Sequence, residues 1–296
     1  MRVFVTGATG FVGSAVVQEL LRAGHQVLGL ARSDASAQAL TDAGADVHRG
    51  SIEDLHSLTS GAAQADGVIH TAFIHDFSKF LENCEKDRLA IGALGAALKG
   101  TKKPLIVTSG TALVNTGRLA TENDLPDPQG QNPRVASELA VANLAEQGVR
   151  VSLVRLPPSV HGEDDHGFVP MIIALAREKG ESAYPGDGEN LWPAVNRFDA
   201  VRLFVLALEK GAKNAIYHAN AEEGVPFRKI AELIGRHLNL PVVSKNGQDL
   251  AAHFGWFTHF ASLNNPTSSQ ITRDILAWKP VHQDLLTDID TAGYFK

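Results

Sequence analysis

A doubly wound, parallel α/β sheet with a smaller C-terminal lobe is predicted by three observations. Short β-forming apolar runs alternate with helical stretches along residues 1–155. The first run enters its helix through a turn with glycines at positions 7, 10 and 13. At 296 residues and 44% hydrophobic content, the chain can bury a large core and still supply an appended lobe. Strands alternating with helices this regularly argue for a parallel sheet with ligands at the carboxyl ends of its strands.

The opening stretch organises the rest. Val3 to Val5 are β-formers, and Val12, Val16, Val17, Leu20 and Leu21 give the apolar face of a helix ending near Gly24. Between them, Gly7 permits a tight turn, Gly10 lets the backbone approach a pyrophosphate and Gly13 lets the helix pack close to its strand. Phosphates would then meet the unpaired N–H groups at the positive end of the helix, around Thr9, Gly10, Phe11, Val12 and Gly13.

A second strand over 25–31 stops at Arg32-Ser33-Asp34. An acidic residue here would bind the ribose 2′-OH of NAD, whereas an arginine neutralises the 2′-phosphate of NADP. Arg32 and Ser33 point to NADP, with NAD the alternative because Asp34 follows. The pattern then gives a helix over 35–43, a strand over 46–49, a helix over 52–60 and a strand over 66–72. Beyond these it places a long helix over 79–99, a strand over 104–109, a polar loop over 116–132, a helix over 133–147 closed by Gly148, and a strand over 149–155. Later helices are expected over 168–179, 200–210 (with Asp199 as N-cap) and 226–238, with a strand over 216–219.

Composition removes several classes. A net charge of −6 with 27 basic residues spread along the chain offers no patch for nucleic acid. The first residues run directly into a strand, and no apolar run approaches the roughly 20 residues of a membrane span, so a cytoplasmic protein without a membrane partner is expected. The single cysteine, Cys84, excludes an internal disulfide; its charged surroundings suggest a surface or half-buried thiol. The run His161-Gly-Glu-Asp-Asp-His166 matches no fixed metal-ligand spacing, and no metal is expected.

Thr6-Gly-Ala-Thr-Gly-Phe-Val-Gly13 resembles the fingerprint of extended and atypical short-chain dehydrogenases/reductases, the superfamily that includes NAD-dependent epimerases and dehydratases. The resemblance implies a Rossmann domain over 1–156, with 195–220 returning to it, and a substrate lobe made of 157–194 and 221–296. It implies that Thr71 and Ala72, ending a Val-Ile-His-x-Ala segment, line the cofactor groove, and that Pro157, in Arg155-Leu-Pro-Pro, walls the nicotinamide. His70 in that segment reads as structural. Ser109 and Thr111 stand where the superfamily keeps a catalytic Ser or Thr.

The same alignment exposes a departure. The superfamily opens its helix after this strand with Tyr-x-x-x-Lys, residues i and i+4 sharing a face, so that the Lys charge lowers the phenol pKa for proton transfer. Counting back from Glu138 puts Gly130 at the Tyr position and Arg134 at the Lys position. None of the three tyrosines, Tyr184, Tyr217 and Tyr294, is followed four residues later by lysine. Arg134 can hold ribose hydroxyls or a carboxylate, but a guanidinium cannot relay protons near neutral pH. The resemblance therefore implies an NADP-dependent oxidoreductase of a small carbonyl or alcohol, monomeric or homodimeric. The proton donor is left among Ser109, Thr111, His161 and a water chain, with Tyr184 reachable only if its hairpin folds over the cofactor; a relay through Ser109 or Thr111 is favoured. Loss of the dyad keeps open a non-catalytic NADP redox sensor; epimerase or dehydratase chemistry is a third option.

Overall fold

The computed structural model describes residues 1–291 and 293–295. Its first half alternates as expected: β1 (Arg2–Thr6), α1 (Phe11–Arg22), β2 (Gln26–Ala31), α2 (Asp34–Asp42), β3 (Asp46–Arg49), α3 (Leu55–Ala63), β4 (Gly67–His70), α4 (Phe80–Leu98), β5 (Leu105–Gly110), α5 (Val135–Glu146) and β6 (Val151–Leu156). After these come β7 (Ser159–His161), α6 (Phe168–Lys179), β8 (Ser182–Pro185), β9 (Leu191–Asn196), α7 (Arg197–Lys210) and β10 (Ile216–His218). The chain continues with β11 (Glu222–Pro226), α8 (Phe227–Leu238), β12 (Val242–Lys245), α9 (Gly247–Phe254), α10 (Thr258–Ala261), α11 (Gln270–Leu276) and α12 (Leu285–Thr291).

Seven strands form one sheet in the order β10-β6-β5-β4-β1-β2-β3, every pair parallel. Side chains alternate across it as the pleat requires: Val3 and Val5 enter the core under α1 and α7, whereas Phe4 enters the one under α3, α4 and α5. The order reverses at β1 and β4, so the crevice beyond their carboxyl ends is the topological switch point. A second lobe has its own core around Trp192, Phe227 and Phe257, built on the small sheets β11-β9-β7 and β12-β8.

The division of the chain differs in detail from the expected one. β9 lies in the second lobe's sheet, and the return to the main sheet is made by α7 and β10. The tail also comes back: Leu276 and Trp278 join the first domain's core. Trp278 Nε1 donates to the Asp199 carbonyl at 3.0 Å. The Asp199 carboxylate accepts from the backbone N–H groups of Val281 and His282 at 3.0 and 2.9 Å. Asp199 therefore pins the tail, and Asn196, accepting from Phe198 N–H, is the cap of α7. Cys84 is buried, against the expectation from its charged neighbours, because α4 turns Asn83, Cys84 and Asp87 inward together. Burial pushes its thiol pKa up to about 11.

Gly13 is fixed by packing. A Cβ there would lie 2.0 Å from the Gly7 carbonyl oxygen and 2.8 Å from Thr71 Oγ1. Backbone cannot yield cheaply, so Gly13→Ala should lose at least the ~1–3 kcal/mol typical of overpacking. Urea denaturation checks this; wild-type stability would show that α1 is free to move off β1.

Candidate active site

The glycine turn has the shape its spacing suggests. Gly7 adopts φ +66°, and a Cβ on it would stand 2.7 Å from the Ala72 nitrogen, because the end of β4 presses against the turn. Thr71 Oγ1 donates to the Thr6 carbonyl at 2.8 Å, which places Thr71 and Ala72 beside the turn. Gly10 differs from its two partners. Its φ is −80°, and an added Cβ would meet only the Gly7 oxygen, at 3.3 Å, with open space beyond. Thr9 and Gly10 are exposed, with Phe11 and Val12 half-buried behind them. No side chain caps α1, and its first turn carries no acid. An open cradle in front of a bare helix N-terminus fits a dinucleotide pyrophosphate.

At the end of β2, Arg32 is exposed and forms no ion pair among the described residues. Ser33 caps α2 by accepting from Ser36 N–H at 3.2 Å. Asp34 is held at 2.5 Å by Arg49 from the end of β3. The acidic group that would favour NAD is thus paired with another side chain.

Between β4, α4 and the start of α5 lies a buried polar chain. Thr6 Oγ1 contacts His70 Nδ1 at 2.7 Å, and His70 Nε2 contacts Asp87 Oδ1 at 3.1 Å. The other Asp87 oxygen meets the Arg134 guanidinium at 2.6 Å and accepts from Ser137 Oγ at 2.6 Å. Arg134 also donates to the Thr108 carbonyl at 3.2 Å and lies 4.0 Å above the centre of the Phe73 ring. Burial would raise the Asp87 pKa, but Arg134, His70 and Ser137 outweigh it and hold the carboxyl below its usual range. His70 is structural, as expected, and Arg134 is an inward-facing cation rather than a surface residue.

The other expected catalytic groups are buried and hydrogen-bonded. Ser109 is buried and donates to Glu138 at 2.6 Å; Glu138 in turn pairs with Arg155 at 2.6 Å. Thr111 is buried and donates to Asn265 Oδ1 at 2.9 Å, while Asn265 donates back to the Thr111 carbonyl at 3.1 Å. His161 is buried against Asp288 at 2.6 Å. Gly130 lies on an exposed turn whose N–H bonds the Asp127 carbonyl. No tyrosine replaces the missing phenol: Tyr184 lies under Arg228, Tyr217 accepts from Ala212 N–H, and Tyr294 donates to Asp165. Pro157 is buried just past the end of β6.

What the sequence pattern did not single out is the segment between β4 and α4. Phe73, His75, Phe77 and Phe80 follow the carboxyl end of β4 directly. Phe77 stacks on Trp256 at 4.8 Å and stands 6.2 and 5.6 Å from Phe168 and Phe260 of the second lobe. Phe73 meets His75 at 5.3 Å. The density of rings immediately after a strand end was a usable signal; Phe73, His75 and Phe77 recur every second residue, as a strand would, yet the segment forms no strand. Among the described residues, no group of three or more His, Cys, Asp or Glu is placed to hold a metal ion, and no helix is long and apolar enough to cross a membrane.

A glycine cradle at the switch point of a parallel sheet, with a second lobe facing it, defines a dinucleotide-binding α/β protein. The profile of the NAD dependent epimerase/dehydratase family matches residues 3–219, and the chain belongs to that family. An uncharacterized protein of Schizosaccharomyces pombe is 52% identical over the full length of both chains. A decarboxylating sterol-4-alpha-carboxylate 3-dehydrogenase of Dictyostelium discoideum is 26% identical, across 77% of this chain and 73% of its own. Among solved structures, dTDP-glucose 4,6-dehydratase from Streptomyces venezuelae, with NAD bound, superposes with a TM-score of 0.78 at 19% identity, covering 100% of this chain and 97% of its own.

Asp87→Ala should destabilise the fold by about 3–5 kcal/mol, because it leaves Arg134 facing a buried, uncompensated site. The sign with pH follows from the lowered carboxyl pKa. The contribution of Asp87 is complete above its unfolded value and is lost as pH falls through the lower folded one. Denaturant titrations of wild type and variant should therefore converge at strongly acid pH. A gap that persists there would assign the effect to packing.

Proposed function

We propose that the protein is an NADP-dependent oxidoreductase acting on a carbonyl or alcohol group of a compound with an apolar body. The observation that carries this reading is the open space in front of Gly10, beside an exposed Arg32 with no ion pair among the described residues. Gly7, Thr9, Gly10, Phe11, Val12 and Gly13 would hold the pyrophosphate, and Arg32 with Ser33 the 2′-phosphate. Thr71, Ala72 and Pro157 would border the nicotinamide half. The bound dinucleotide supplies or accepts a hydride. Arg134, fixed by Asp87 and Phe73, keeps a permanent positive charge at the edge of the crevice, where it would stabilise negative charge developing on a substrate oxygen. The wall formed by Phe77, Phe168, Trp256 and Phe260 suits an apolar body better than a nucleotide-linked sugar. The sterol dehydrogenase among the relatives is consistent with that choice.

A second reading has one specific observation behind it. Arg134 is ion-paired and Gly130 lies on the surface, so the superfamily's proton-transfer dyad has no counterpart here. A chain that binds NADP and senses its redox state would need neither residue.

Calorimetry should show NADPH binding more tightly than NADH by about tenfold to a hundredfold, the range of a charge-assisted contact. Arg32→Asp should reverse that order; equal affinities before and after would place the 2′-phosphate elsewhere. Gly10→Val should abolish binding of both nucleotides with an unchanged circular dichroism spectrum, since its φ is open to any residue and the added atoms enter the cradle. Retained binding would overturn the cradle. NADPH oxidation with a panel of apolar ketones and aldehydes then separates the two readings, because a sensor binds NADPH tightly and turns nothing over.

A further inference from the structure

We propose that His75 is the residue that exchanges the proton with the substrate oxygen, in the role the superfamily gives to its tyrosine. The inference rests on the oxidoreductase reading. His75 lies five residues past the end of β4, in the segment that runs from the switch-point crevice to the aromatic wall of the second lobe. Its side chain is exposed to solvent, with the Phe73 ring edge-on beside it. Its neighbour Phe73 carries the Arg134 guanidinium on its face, so a titratable ring and a permanent cation flank one aromatic side chain.

The other candidate groups each have a hydrogen-bond partner among the described residues. Ser109 and Thr111 donate to Glu138 and Asn265. His161 is fully enclosed and bound to Asp288. His166 packs edge-on against Phe11, on the glycine-turn side.

The chemistry balances with one proton from solvent. In the reducing direction the carbonyl carbon gains a hydride and the C=O electron pair moves to oxygen. That oxygen takes a proton from a His75 ring N–H, and the neutral ring is reprotonated through its exposed edge. In the oxidising direction the neutral ring accepts the hydroxyl proton and returns it to water.

The charged groups that packed elements bring toward His75 are Arg134, ahead of α5, and His166, ahead of α6. Within its own segment, Asp76 is turned to cap Ser78. Desolvation by the neighbouring protein lowers the His75 pKa below its ordinary value of 6.5; Arg134 and then His166 add to this, and the Phe73 backbone opposes it. Reduction should therefore slow as pH rises through a value below 6.5, and oxidation should speed up through the same value.

The test combines kinetics with a readout independent of turnover. His75→Gln should lower kcat by about 100-fold or more, the low end of general acid–base catalysis. It should leave NADPH affinity by calorimetry unchanged and remove the pH step in both directions. His166→Gln should keep both the step and most of the rate. In the free protein, NMR of the His75 ring, assigned by its loss in His75→Gln, should titrate below 6.5 and move upward in Arg134→Gln. Wild-type turnover with near-normal kcat in His75→Gln would overturn the role of His75 and leave the oxidoreductase reading standing. A ring that titrates at or above its ordinary value, or that ignores Arg134→Gln, would also overturn it. Tight NADPH binding with no turnover of any carbonyl or alcohol would overturn both readings together.

Discussion

The site is organised around one buried carboxylate. Asp87 lies at the centre of α4, out of contact with water, and reaches His70 at the end of β4, Arg134 before α5 and Ser137 inside α5. Through His70 the chain of contacts continues to Thr6, the last residue before the glycine turn. A single ionised group thereby fixes the strand that borders the cofactor groove, the helix behind it and the cation that faces the crevice. Burying a charge is tolerable only when it is paired and hydrogen-bonded, and Asp87 has both kinds of partner. Because removing any partner leaves a charge or donor unsatisfied in a dry place, the parts are held in one mutual geometry rather than a range of them.

That geometry has a chemical consequence. A lysine at the Arg134 position would be a titratable amine able to tune a phenol four residues earlier, but the guanidinium stays charged at every accessible pH. With its charge shared with Asp87 and its face on Phe73, Arg134 is suited to hold negative charge in place and unsuited to pass a proton. Under the oxidoreductase reading proposed above, charge stabilisation and proton transfer, combined in the Tyr-Lys pair, would come from different residues. In the aromatic segment that follows β4, Phe73 has the Arg134 guanidinium on its face and His75 at its edge.

The fold was legible because its signals are local and periodic. Glycines three apart between a β-forming run and an apolar helical face can be read without knowing what the segment touches, and the alternating elements up to β6 follow the same logic. The partners of Ser109, Thr111 and His161 were not legible, because a strand-end position says nothing about which residue waits beside a side chain. Ser109 meets Glu138, 29 residues away. Thr111 meets Asn265 and His161 meets Asp288, at separations of 154 and 127 residues. No local pattern carries information about such partners. Cys84 failed on the same ground: charged neighbours in sequence lie on the other side of a helix whose inward face is set by tertiary packing.

The tail illustrates how these long-range contacts complete the site. Asn265, His218, Ser268 and Thr272 all lie in or against the segment that returns to the first domain, and they satisfy the polar groups beneath β5 and β6. Thr111 and Arg155 are among the groups so held. His218 is kept neutral there, its pKa lowered to about 4 by burial first and the Arg155 charge second. A neutral ring can accept from Arg155 on one nitrogen while donating to the Ser268 carbonyl from the other; a protonated ring could only repel the guanidinium. The Ser109 and Thr111 hydroxyls thereby tie β5 and the segment after it to α5 and to the returning tail.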